Sequence, residues 1–343
     1  SRTVTINSGN AYARNIDLTG TVNNPIINKS SSFNMEIWGD SIILNPAVTF
    51  NGLVTPKGPR PAFLKGNIQG DFDFNIDKSG SSLTILNNFS NAQTNIGLIN
   101  GAWNASGIQL SVWQVDNSAA TANVFAINIS NSRITAPFGW RFQGVIANHS
   151  LNAANSSITT SDFKAAGMTY DTVNVTNTLT TSVNMASATV RSLKFTDPSN
   201  ASAVGTVGSG NTLGRVEYKG SGIINGSNMI DTLIFFPAGI YTFTAGTNTT
   251  INGAWYGSGT PCRLTEIVSS STTANATITR TGGTVDFDYV RLRRITAAGA
   301  AAPFNARNHS INQGNNTNWN IAPYDGAAPI YGLGPDTALL ATA

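Results

Sequence analysis

No stretch of twelve or more residues in this chain carries a clean helical repeat of apolar side chains. The nearest, "ITAAGAAAPF", is cut by Gly299 and Pro303. A helix needs apolar residues at i, i+3, i+4 and i+7 to bury one face. What recurs instead is short alternation: "TVTI", "FDFNI", "SLTIL", "VFAINI", "DTVNV", "GRVEY" and "TVDFDYVRL". Each is about one strand long, and Asn, Gly, Ser and Pro separate it from the next. The chain is therefore confined to all-β architectures.

Two of these compete. Antiparallel β-sandwiches need hairpins, and the Asn-Gly hairpin signal occurs at Asn51-Gly52, Asn100-Gly101, Asn225-Gly226 and Asn252-Gly253. That is too sparse to carry a sandwich alone. A right-handed parallel β-helix needs short apolar clusters, Asn/Gly-rich turns and like residues that stack into ladders between coils. Only 11% of the residues are charged, against about a quarter in ordinary domains, and Asn, Thr, Ser and Gly take their place. The β-helix is the expected fold, with antiparallel sandwiches as the alternative.

The net charge is +3, and its one local cluster is Arg291, Arg293 and Arg294. Nucleic-acid binding wants a continuous basic face, so the cluster reads as a solvated strand face. The single cysteine, Cys262, permits no intrachain disulfide and is expected as a small buried thiol. The start, "SRTVTINSGN", lacks a secretory leader, as in a mature form or a fragment. The most apolar run, "MIDTLIFFPAGIYTF", is broken by Asp231 and Pro237 and is too short to span a bilayer. Composition shifts after Ile321, where Pro323, Pro329 and Pro335 appear among Gly and Ala. The expected division is a β-helical module over 1–321 and a linker, or the start of a following module, over 322–343.

Three stretches carry a resemblance: "TVTINSGNAYARNIDLTGTVNNPIIN" with "FNMEIWGDSIILNPAVTFNG", then "YTFTAGTNTTINGAWYGSGTPCRLTEIVSSS", then "GGTVDFDYVRLRRITA" closing on "NQGNNTNWNI". Their order resembles the adhesin-like β-helical modules of large secreted cell-surface proteins of Bacteroidota, associated with gliding motility and type IX secretion. The resemblance covers roughly the first fifty and the last hundred residues. It departs at Ala13, where many relatives have cysteine, and at Asn318, where they often have glycine. Its motifs are structural. They imply an extracellular module of an adhesin or filament, non-enzymatic, whose partners are neighbouring modules of the same chain or filament and surface polysaccharide. In such a module Asn315 and Asn316 would turn the last coil, while Trp319 and Ile321 seal its apolar end.

Candidate chemistry is sparse. In "GDFDFNID", Asp71, Asp73 and Asp77 alternate with Phe72, Phe74 and Ile76, so the acids share one strand face. They could hold Ca²⁺ through oxygen ligands or act as an acid–base pair on polysaccharide. A half-buried strand with a solvated face predicts the same pattern. Asp286 and Asp288 repeat the motif, and the inward phase switches between Tyr289 and Val290, as at a coil corner. Asn-x-Ser/Thr sequons are numerous, but an Asn- and Ser/Thr-rich composition accounts for most of them. Trp103 in "NGAWNASG", and Trp255 with Tyr256 in "NGAWYGSG", lie in Gly/Asn turns and are the candidate carbohydrate contacts. His309, with no carboxylate or second histidine near it in sequence, makes a poor metal centre. Catalytic motifs and cofactor signatures are missing, so no catalytic residue and no cofactor other than Ca²⁺ is expected. The alternatives to an adhesin module are a polysaccharide-binding or polysaccharide-cleaving β-helix, including the phage tail-spike type, and a virion or polymeric filament subunit.

Overall fold

A computed structural model of the chain describes residues 3–6, 10–29, 34–117, 124–142, 149–176, 183–196, 205–307 and 309–322. These residues form strands, turns and bends, and no helix. The ladders between described strands are parallel; the antiparallel contact is an isolated bridge between Thr260 and Arg263. The protein is a parallel β-solenoid, and the sandwich alternative falls. Two compact units, Ser1–Asn174 and Val175–Ala343, divide the chain. The expected linker, apart from Ala322, lies outside the described residues.

In the first unit each coil contributes up to three short strands, and each stacks in register on its counterpart one coil later. One column runs Thr3–Ile6, Ile26–Lys29 and the start of Thr49–Pro56. A second runs Ala11–Ala13, Asn34–Ile37, the end of Thr49–Pro56 and the start of Phe72–Ile85. It continues through Phe89–Asn104, Gln109–Asp116, Gly139–Arg141 and Phe163–Ala166. A third begins at Ile16–Asp17, Ser41–Ile43 and Ala62–Lys65. Alternation sends every second side chain inward, so each column buries one apolar stripe: Val54, Phe74, Ile96, Val115, Trp140 and Phe163 in the second column. Aromatic rings fill the larger gaps. Phe50, Phe72, Phe74 and Phe89 meet with ring centres between 5.4 and 6.2 Å apart.

The second unit repeats the plan. Thr189–Phe195, Thr212–Tyr218 and Met229–Ile234 stack in one column. Gly222–Ile224, Ile240–Phe243, Thr265–Ser269 and Val290–Arg293 stack in another. Asp286–Phe287, Phe304–Ala306 and Trp319–Ile321 stack in a third. Its core is an aromatic column in which Phe235 lies on Tyr241 at 3.6 Å and edge-on to Trp255.

The corners explain the asparagines and glycines. Asn131 and Asn155 both hold positive φ, 56° and 54°, which asparagine tolerates better than most residues. They stack, the Asn155 amide donating to Asn131 Oδ1 at 3.2 Å. Asn51 donates to Asn28 Oδ1 at 2.8 Å, 23 residues away. In the second unit the ladder is buried: Asn228 Oδ1 accepts from both the main-chain N–H and the side-chain amide of Asn211. Gly101 holds φ +92°, and a Cβ there would fall 2.1 Å from the Lys78 carbonyl oxygen. The Asn-Gly pair at 100–101 is thus a coil corner and not a hairpin.

Candidate functional site

The acidic strand has the expected faces. Phe72, Phe74 and Ile76 are fully buried, while Asp71, Asp73 and Asp77 point outward. A strand advances about 3.3 Å per residue, so Asp71 and Asp77 are about 20 Å apart and cannot share one ion. Asp73 and Asp77 are engaged separately. Asp73 Oδ1 accepts from the main chain and the amide of Asn95, at 2.7 and 2.8 Å. Asp77 faces Lys57 at 3.8 Å, and Lys57 also binds Glu36 at 2.9 Å. The hydrogen bond to Glu36 raises the Lys57 pKa above its ordinary value. Among the described residues, no three His, Cys, Asp or Glu side chains are grouped to hold a metal ion.

Other charges are tied in the same way. Asp162 Oδ2 lies 2.6 Å from Arg141 Nε and 3.8 Å from Lys164. Arg291, from the basic cluster, pairs with Glu266. Arg307 holds Asp286 with two nitrogens and keeps its carboxyl below the usual range. His309 Nδ1 is 2.8 Å from Asp288 Oδ2, and its ring stacks on Tyr289 at 4.6 Å. The expectation that no carboxylate lies near His309 is therefore corrected. The partner is 21 residues earlier, one coil back, invisible until the coil period is known. Tyr289 itself holds φ 54°, which marks the corner where the inward phase switches.

Two of the three carbohydrate candidates are corrected. Trp103 is 1% exposed and Trp255 8%; Trp103 packs against Trp140 and Trp255 edge-on to Phe287. Strand alternation turns both indoles inward despite the turn-like residues around them, and neither can meet a glycan. Tyr256, the next residue after Trp255, points out and is 60% exposed. Cys262 is corrected too: it is exposed, at φ 65°, in a tight turn closed by main-chain hydrogen bonds between Thr260 and Arg263.

The aromatics that sequence reasoning missed are Trp113 and Phe138. Both are solvent-exposed, and their rings stack 4.9 Å apart with planes at 10°. Register decides this: Gln114 pairs with Gly139, so the preceding residues meet on adjacent coils. The available signal was an aromatic at matched offset in "WQVD" and "FGWR".

At the end of the described chain, the Asn316 amide donates to the carbonyl of Leu292 and to Asn312 Oδ1, and its own Oδ1 accepts from the Ile295 N–H. The Asn315 carbonyl accepts from the Asn275 amide, with φ 58° at Asn315. Trp319 is half-buried, edge-on to Phe304 at 5.2 Å, and Ile321 pairs with Ala306 in the last ladder. No protein-family model, curated protein or solved structure matches the chain. No helix of the described residues is long and apolar enough to cross a membrane.

Proposed function

We propose that the chain is a non-enzymatic module of an extracellular adhesin or filament, serving attachment or cell-surface architecture, in line with its resemblance to the adhesin-like modules of Bacteroidota. One observation carries this reading. Carboxylates along the stack serve as ties between coils: Glu36 and Asp77 on Lys57, Asp73 on Asn95, Asp162 on Arg141, and Asp286 on Arg307. An acid–base pair needs two carboxyls free to exchange protons with substrate. A stack under tension needs its neighbours cross-linked.

The mechanism is mechanical. Parallel main-chain ladders run from coil to coil, the apolar stripe is continuous within each unit, and side-chain ladders pin the register.

The test replaces Asp71, Asp73 and Asp77 together with Asn and assays wild type and variant for release of reducing ends from a polysaccharide panel. No release by wild type is expected, with a lowered melting midpoint in the variant. Cleavage by wild type that the triple variant loses would favour the polysaccharide-cleaving β-helix.

A further inference from the structure

Trp113 and Phe138 leave 42% and 41% of their surface in water. Large rings are normally drawn into a core, because each offers 150–250 Å² of mostly apolar surface. The coil register holds these two in a stack, with the Phe138 N–H donating to the Trp113 carbonyl at 3.0 Å. A polar rim surrounds the stack. The Arg141 guanidinium lies 4.2 Å from the Phe138 ring centre, and its Nη1 donates to Gln114 Oε1 at 3.3 Å. The Gln114 amide in turn donates to Asp116 Oδ2 at 3.0 Å.

The rim has no net charge. Its two cations, Arg141 and Lys164, both face Asp162, and Asp116 supplies the second carboxylate. An anionic ligand would have to break those pairs. Gln114 and Arg141 are both partly exposed and edge the stack with amide and guanidinium groups. A hydroxyl both donates and accepts, so it can pair with either group without a charge of its own. A protein partner usually needs about 800 Å² on each side, whereas two rings at this exposure present about 200 Å². A pyranose ring matches what is there, with C–H groups for the rings, hydroxyls for the rim and no charge.

We propose that the Trp113–Phe138 stack, rimmed by Gln114, Asp116 and Arg141, is a binding site for an uncharged polysaccharide. The proposal rests on the attachment reading and supplies its partner class.

The full chain is run by native electrophoresis through gels holding laminarin, dextran or galactomannan, with alginate and polygalacturonate as acidic arms. At least one neutral polysaccharide retards the wild type, and the acidic ones do not. Trp113→Ala and Phe138→Ala each weaken that retardation at least about ten-fold, with melting midpoints within about 5 °C of wild type, while Tyr256→Ala changes nothing. Trp113→Leu, which keeps apolar bulk without the ring, carries the same expectation should Ala disturb folding. Retardation by acidic gels alone, by none of the neutral gels, or undiminished in both ring variants overturns the site. Reducing ends released in the neutral gels would overturn the non-enzymatic reading and leave the site standing.

Discussion

Asp288 and His309 stand one coil apart, and the histidine Nδ1 lies 2.8 Å from the carboxylate. An ionised carboxylate only accepts hydrogen bonds, so Nδ1 carries the proton and donates. Tyr289 stacks on the same imidazole. His309→Ala removes both contacts and is expected to cost about 1 kcal/mol, since the pair is partly exposed. Urea denaturation of wild type, His309→Ala, Asp288→Asn and the double variant measures the coupling. A coupling near zero would show that the pair is geometric only.

The buried asparagine ladder should matter more than an exposed one. Asn228→Ala leaves the Asn211 main-chain N–H without its acceptor and its amide with the Met185 carbonyl alone, in a site where both residues are buried, at a cost of about 1–3 kcal/mol. Asn320→Ala removes an exposed bond to Asn305 and should change stability by less than about 0.5 kcal/mol. Equal effects, compared by chemical denaturation, would refute burial as the cause.

Lys78 occupies an inward position, fully buried, with its ammonium donating to the Lys57 carbonyl at 2.8 Å. Loss of water lowers its pKa below 10.5. The unfolded chain keeps this proton up to its ordinary pKa, while the folded chain releases it sooner. Stability therefore rises with pH between the folded pKa and 10.5. Lys78→Met is expected to leave stability at pH 7 unchanged or raise it by about 1 kcal/mol, and to remove the alkaline gain. Denaturation at pH 7, 9 and 10 checks both; a loss above about 2 kcal/mol at pH 7 would mean that the ammonium holds the corner.

Trp319 should act through packing. Trp319→Ala removes the edge contact with Phe304 in the last described ladder and is expected to cost about 2 kcal/mol, below the 3–5 typical of fully buried aromatic residues. Trp103→Ala, in the core of the first unit, should reach that higher range. Calorimetry of the two variants tests the ranking, and glycan retardation of the folded Trp319→Ala protein should equal that of wild type.

A steric contrast tests the corners. Gly101→Ala must place Cβ against the Lys78 carbonyl at positive φ, whereas Gly80, at φ +69°, has open space around it. Both substitutions carry backbone strain, but only the first adds a clash. Gly101→Ala should therefore be the more destabilising by at least about 1 kcal/mol, measured by thermal melting.

The sequence by itself determined the alternation, and with it the all-β class and the faces of individual strands. Phe72, Phe74 and Ile76 turn inward because period two leaves them no other face. It also determined the corners, since asparagine and glycine are the residues that accept left-handed backbone at low cost. What only the tertiary structure decided is which coil lies on which. Asp288 meets His309, Asp286 meets Arg307 and Trp113 meets Phe138 through register between segments 21 to 25 residues apart. Coil length varies, so no fixed period in the sequence announces those pairs. Although Trp103 and Trp113 both stand beside polar residues in the linear chain, strand phase turned the first inward and the second outward, and register set Trp113 against Phe138.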